Sequence, residues 1–401
     1  MLNVKRFDFV SFLVFLPCAW VFSGLFSSSS GRKQIGVMIL ISVILSIYRF
    51  GKGKDTFNVI LKNKIIWFFL AIFFYGVGSY FTIGYSNSVL VSMFFMLTLV
   101  LFLPKSLCTK NNMMGLVLLG SLFVFISAVY YSIVLGQGRS GWGINVIPFT
   151  TFSAVLAVFS LVFMCVEKTK KTRIIYVLCF SLAFLSILIG QSRGVFLALF
   201  VSGVVSFLIV FDWKSFNKKY AIAAAFFIFS LGLIVYPKVD SRINQTQAEF
   251  VRIADGDYGS SIGLRIKMWS AAIELSKVSP LFGLGKGYMD EFLKVYANTD
   301  DPTMQPLVRY EPSHFHMQIL TTLVKRGWVG LILLLLPIFY ICYHLYRYRT
   351  LGGILSFSMV MVYVVAGLTD NPFGHGQLTM LFWLNSFYLL NNPAFDQLYK
   401  T

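Results

Sequence analysis

Apolar residues along this chain fall into long runs separated by short polar breaks. Twelve runs lie near 8–26, 35–48, 65–83, 89–103, 113–135, 147–166, 174–190, 194–211, 221–236, 328–343, 352–368 and 378–391. A helix needs ~20 residues to cross a bilayer, and several runs are shorter, so their ends are expected to shift by a few residues. Only helices and closed barrels satisfy the backbone in lipid, and runs this continuous predict helices. One long polar interval breaks the series. Inside it, SSIGLRIKMWSAAIELSKVSP predicts an amphipathic helix that stops before Pro280. Ile262, Ile266, Trp269 and Ile273 share one face at helical spacing. At ~100° per residue Arg265 sits beside Trp269 at the edge of that face, and Lys267 points to the polar side. Arg265 is thus expected to face the membrane or the protein body, and Lys267 water.

Composition changes the picture in one respect: it excludes a soluble domain. Hydrophobic residues make up 57% and charged residues 12%, with 42 Phe and a mean hydropathy of +0.75, whereas an ordinary soluble domain carries about 25% charged residues. The net charge of +18 then reads as loops held on the cytoplasmic side rather than as a nucleic-acid surface. The expected fold is an all-α polytopic membrane protein with about 12 transmembrane helices.

With the N-terminus inside, the inner segments are 1–7, 49–64, 104–112, 167–173, 212–220, 344–351 and the tail, and they hold 19 Lys and Arg. The short outer loops hold four: Arg32, Lys33, Arg139 and Arg193. The other 11 of 34 lie in the long loop 237–326. This asymmetry predicts both termini in the cytoplasm and the long loop outside. Basic residues of the inner loops are topology signals and anionic-lipid contacts. Met1 runs into the first span with no A-x-A site, so no cleavable signal peptide is expected. Of the five cysteines, Cys18, Cys165, Cys179 and Cys342 fall in spans and Cys108 in an inner loop; the outer loop has none and hence no disulfide framework.

Candidate chemistry gathers outside. EPSHFHMQIL puts His314 and His316, half of the four histidines, just ahead of GWVGLILLLLPIFY. Gln191-Ser192-Arg193-Gly194 separates two spans, placing an arginine at the outer membrane edge, where it is either a snorkelling side chain or an anion site at the start of the next helix. PLFGLGKGY follows a helix rather than a strand, so its glycines do not read as a nucleotide loop. Asp255 and Asp257 form a DGD that reads as a turn, with a carboxylate pair for a metal as the alternative. His375 and Asp370 share an outer loop and read as a polar turn or as part of a substrate path. His344 is on the inner side.

The order of these motifs carries a resemblance. SRG opening a span, then GLRIKMWSAAIELSKVSPLFGLGKGY, then SHFHMQILTTLVKRGWVGL is similar to the O-antigen ligase and O-antigen polymerase superfamily of bacterial envelope glycosyltransferases. The ligase pattern is His followed by Asn, Ser or Gln, nine residues, Gly, two residues, then a small residue or Tyr. His316, Gly327 and Gly330 match that spacing, with Met317 at the second position. The motifs cover about 190 to 332; the rest agrees through span count and topology.

The resemblance implies a type C glycosyltransferase of the bacterial inner membrane with a periplasmic active site. Its division would be 1–236, transmembrane helices 1–9; 237–327, a large periplasmic loop with helices and catalytic elements; and 328–401, transmembrane helices 10–12 and a cytoplasmic tail. An O-antigen ligase would move a glycan from undecaprenyl pyrophosphate to the lipid A-core oligosaccharide, inverting and metal-independent, with no cofactor and no nucleic-acid partner, among membrane lipids. A polymerase would join carrier-linked repeat units. A transporter or flippase also has about twelve spans, but calls for repeat symmetry and ionisable residues in mid-span. For the transferase, Arg193 and Arg265 are the candidates to grip the diphosphate and take up its growing charge. His316 or His314 is the base for the acceptor hydroxyl, titrating near pH 6–7. Arg309, Tyr288, Gln191 and His375 are candidates to line the site.

Overall fold

The computed structural model describes residues 9–27, 31–51, 63–211, 244–299, 301–390 and 392–396. Regular structure there is helical, with no β-strand among the described residues. The helices are α1 Phe9–Val21, α2 Gly31–Phe50, α3 Lys64–Thr82, α4 Asn87–Phe102, α5 Lys110–Val129, α6 Val146–Val166, α7 Lys170–Gly190 and α8 Arg193–Val210. Helix α9 covers 244–254. There follow α10 Ser261–Val278, α11 Tyr288–Tyr296, α12 Gln305–Tyr310, α13 Gln318–Tyr348, α14 Leu351–Ala366 and α15 Gly376–Leu389.

Eleven of the twelve apolar runs are helices; the run 221–236 lies outside the described residues. Eight described helices are long and apolar enough to cross a membrane, so the chain is a multi-pass membrane protein. α4, α14 and α15 are shorter, at 16, 16 and 14 residues. Pattern explains the arrangement. α6 is apolar on every side and 78% of it is buried, as a helix without a polar face must be if it sits at the centre. It packs against α5, α7, α8 and α14. α14 runs beside α8, and the buried Ser206 hydroxyl of α8 donates to Ser358 of α14 at 2.7 Å. Such bonds hold helices together where lipid gives no hydrophobic drive.

The segment 260–324 builds a second, separate core from Met268, Ala271, Ala272, Leu275, Tyr288, Phe292, Met304, Leu307, Phe315 and Val324. Its packing face on α10 is not the isoleucine stripe. The face of α10 that is buried runs through Met268, Ala271, Ala272 and Leu275, while Ile266 and Ile273 are 36% and 49% exposed. The isoleucine stripe therefore turns outward. Lys267 is not simply solvated: its ammonium lies 3.3 Å from Asp301 and over the ring of Tyr258.

Helix α13 is two helices meeting at Gly327, whose φ of 61° and ψ of −166° are not helical. The chain from Pro280 to Leu284 threads this break. Trp328 N donates to Pro280 O at 2.8 Å, Val329 N to Leu281 O at 3.1 Å and Leu284 N to Val324 O at 2.7 Å. A Cβ on Gly327 would overlap the Leu281 carbonyl, and one on Gly283 the Lys325–Gly327 backbone. These glycines serve close backbone crossing rather than nucleotide binding. Gly327→Ala is accordingly expected to destabilise the fold. The backbone region alone costs about 1–3 kcal/mol, and the overlap adds to it. A thermal unfolding midpoint in detergent equal to that of the parent would refute this.

Candidate active site

The loop Glu311–Met317 carries the histidine pair and is braced from four sides. Tyr288 donates its hydroxyl to Pro312 O at 2.8 Å, and its ring packs on the buried Phe315 at 5.8 Å. Lys325 donates to Ser313 O at 2.7 Å while lying 4.1 Å above the Tyr288 ring. Phe315 N donates to Thr321 Oγ1 at 3.2 Å. His316 N donates to His314 Nδ1 at 3.1 Å. This framework holds His316 at φ 49°, a left-handed backbone that is rare for a side chain of this size. Residues kept in such regions are over-determined by their surroundings.

The second loop, between α14 and α15, is tied to the first by Gln318. Its backbone N donates to Gly367 O at 2.7 Å, its side-chain oxygen accepts from Phe373 N at 2.9 Å, and its amide donates to Thr322 at 3.0 Å. Met317 stands where the ligase pattern has an amide, and the next residue supplies one. The result is that Asp370, only 2% exposed, faces three imidazoles. Its carboxylate lies 3.1 Å from His375 Nε2, 3.7 Å from His314 Nε2 and 4.0 Å from His316 Nδ1. The ring centroids of His314 and His316 are 4.3 Å apart.

Burial works to raise the Asp370 pKa. The His375 hydrogen bond, the neighbouring imidazoles and the Asn371 N–H outweigh it and hold the carboxyl below its ordinary range. Burial lowers His314 to about 4, with His316 adding to the effect and Asp370 opposing it. Burial also lowers His316, helped by the positive charge of Arg265 and opposed by Asp370. Both imidazoles are therefore held below the ordinary histidine value, His314 the further of the two.

Tautomers follow from the hydrogen bonds. His314 Nδ1 accepts a backbone N–H, so its proton in the neutral form sits on Nε2, aimed at Asp370. His316 Nδ1 is buried and has no hydrogen-bond partner. One ligand atom each from His314, His316 and Asp370 lie within 4.8 Å of one another, close enough in spacing for a metal. A protonated Nε2 has no lone pair to give, so the His314 tautomer disfavours ligation. Asp255 and Asp257 lie on a separate turn, where Asp257 accepts from Gly259 N at 2.8 Å and pairs with the Arg252 guanidinium at 2.6 Å.

Arg193 opens α8, and a Cβ on the next residue, Gly194, would overlap Thr369, the neighbour of Asp370. The Arg193 guanidinium pairs with Glu249 of α9 at 3.3 Å. Arg265 of α10 is half-buried; burial lowers its pKa, Asp370 raises it, Arg193 lowers it and Glu249 raises it. The two arginines, the histidine pair, Asp370 and His375 thus form one cluster from four separate stretches of chain. Three sequence candidates fall elsewhere. Tyr288 is buried and braces the histidine loop. Gln191 is exposed, closing α7 at φ 51°, with its carbonyl accepting from Arg139 at 3.4 Å. Arg309 is exposed at the end of α12 and forms no ion pair among the described residues.

Sequence reasoning undervalued Asp370 by reading it as a turn. A signal was present: it is the sole acid between residues 312 and 395. Glu249 and Lys325 were given no role.

With eight described helices long and apolar enough to cross a membrane, the chain is a multi-pass membrane protein, and it carries one buried carboxylate among three imidazoles. The sequence model of the O-antigen ligase family matches residues 178–335, so that segment is similar to the O-antigen ligase family. The match holds Arg193, Arg265, His314 and His316, but ends before Asp370 and His375. An uncharacterized protein of Haemophilus influenzae strain Rd is 28% identical over 261 residues, covering 60% of this chain. The matched part is 64% of that protein's length, under two thirds of it.

Proposed function

We propose that the protein is an O-antigen ligase of the bacterial inner membrane. It transfers a glycan from undecaprenyl pyrophosphate to the lipid A-core oligosaccharide at the periplasmic face. The observation that carries this reading is the packing of Asp370 against His314, His316 and His375, with Arg265 near enough to influence His316 and Asp370 near enough to influence Arg265. Pyrophosphate is a good leaving group, so the site needs cations for it and a base for the acceptor, and this cluster offers both.

In the proposed reaction His316 is the catalytic base. Its Nδ1 faces Asp370, which leaves Nε2 to accept the proton of an acceptor hydroxyl. That oxygen bonds to the anomeric carbon as the bond from carbon to diphosphate oxygen breaks on the opposite face, inverting the centre. The diphosphate leaves with the electron pair and is held by Arg193 and Arg265. Asp370 stabilises the imidazolium formed. His314 is a positioning residue, because its Nδ1 fixes the His316 backbone. Among the described residues Asp370 is the one buried Asp, Glu, Lys or Arg. That favours surface chemistry over a transporter, which needs ionisable groups along a path through the spans.

The topology proposed is twelve spans with both termini cytoplasmic and residues 237–327 periplasmic. The charge asymmetry supports it. Reporter fusions at Lys170 and Asp257 are expected on opposite sides, Lys170 in the cytoplasm; an external Lys170 would overturn the arrangement. Function is tested by deletion. A ligase gives lipopolysaccharide without O-antigen and polymer accumulating on the carrier, whereas a single repeat capping the core would mean a polymerase. Transfer by the purified protein is expected to persist in EDTA. Activity that vanishes and returns with Mg²⁺ or Mn²⁺ would make His314, His316 and Asp370 ligands instead.

A further inference from the structure

The fork of Arg193 already has acceptors, all from α9. Nη1 donates to Thr246 Oγ1 at 3.2 Å and to Glu249 Oε1 at 3.3 Å, and Nη2 donates to Gln245 Oε1 at 3.2 Å. The other Glu249 oxygen, Oε2, accepts from Ile262 N at 3.0 Å, in the first turn of α10 and one turn ahead of Arg265. One carboxylate therefore touches one candidate arginine and the start of the helix that carries the other. The Glu249 side chain is 15% exposed and that of Arg193 40%, so the arginine end of the pair is open to an arriving ligand.

We infer that Glu249 is a specificity-determining residue of the donor site, holding Arg193 until a ligand with two phosphate groups displaces it and so discriminating against carriers with one. This rests on the reading of the chain as a transferase that uses a diphosphate-linked donor. A carboxylate offers an arginine much what one phosphate group offers: charge and a pair of acceptor oxygens. Exchange of one for the other gains little, and a Glu249 that stays in place repels any arriving anion. A diphosphate differs because its second group reaches Arg265 as the first takes Arg193. Two contacts then form for one loss of translational freedom. The response of Arg265 to both Arg193 and Glu249 agrees with such a shared site.

Glu249→Gln tests this with little change of shape: the amide oxygen can still accept from Ile262 N, while the charge and the acceptor toward Arg193 are lost. Full-length protein in detergent would be titrated with undecaprenyl monophosphate and undecaprenyl diphosphate. The parent is expected to prefer the diphosphate. Glu249→Gln is expected to bind the monophosphate about tenfold more tightly and the diphosphate with a smaller gain, so that the preference shrinks. Glu249→Ala should show the same shrinkage. An unchanged preference, or equal weakening for both lipids, would mean that Glu249 only braces Arg193 and would sink the inference. If the parent binds neither lipid, the donor reading fails too; diphosphate binding that is lost in Arg193→Ala preserves that reading whatever Glu249 does.

Discussion

His316→Ala is expected to lower glycan transfer by about 10²–10⁴-fold, the usual contribution of a positioned base. The protein should remain in the membrane with its thermal midpoint little changed, because the brace on this loop runs through Pro312, Ser313 and Phe315 rather than through the imidazole. A sugar hydroxyl is a poor nucleophile without a group to take its proton, and with Nδ1 of His316 turned to Asp370 its Nε2 is the nitrogen left for that task. His314→Ala should be milder, since its ring acts on His316 through one backbone hydrogen bond. Asp370→Asn should fall between them. It keeps the shape and the hydrogen-bonding capacity toward His375 but removes the charge that offsets the imidazolium. The order of severity, His316 then Asp370 then His314, is the content of the prediction. It is read as kcat/KM in a purified transfer assay. A His314 variant more damaged than the His316 variant would reverse the two roles.

The helices and the arginine–histidine set were legible because each has a local signature. Apolar runs of near membrane length leave no other fold, and the His316, Gly327 and Gly330 spacing lies within 15 residues of chain. What was not legible depends on distance in sequence. Asp370 reaches the histidines through Gln318 and its bonds to Gly367 and Phe373, about 50 residues away, and no periodicity reports such a tie. Which face of α10 packs on the second core was not legible either: the isoleucine stripe was expected to meet membrane or protein body, and Met268, Ala271, Ala272 and Leu275 are the residues that pack. The small residues Ala271 and Ala272, which allow close packing against α13, marked it better. The function of Gly283 and Gly327 was similarly hidden: Gly283 is explained by the backbone of Lys325–Gly327 and Gly327 by that of Leu281 and Phe282.

Arg265→Ala is expected to reduce transfer about 10²–10³-fold, the scale on which loss of one charge-stabilising donor acts. Arg265→Lys should recover part of this, because an ammonium keeps the charge but not the planar fork. The loss alone would not separate a role toward the diphosphate from a general disturbance, and the pH profile does. In the parent, burial and then the Arg265 charge lower the His316 pKa, with Asp370 working against them. Protonated His316 cannot serve as base, so activity should be full at neutral pH and fall as pH drops through a midpoint below the usual ~6.5 of histidine. Removing Arg265 takes away a lowering influence, so the residual activity of Arg265→Ala should begin to fall at higher pH than the parent's. Asp370→Asn takes away a raising influence, so its acid limb should move to lower pH. Measuring kcat/KM from about pH 4 to about pH 9 for the three proteins spans these limbs. Opposite displacements are what a His316 base flanked by these two charges requires. Midpoints that coincide, or that move the same way, would remove His316 from the role of base while leaving Arg265 its part in holding the diphosphate.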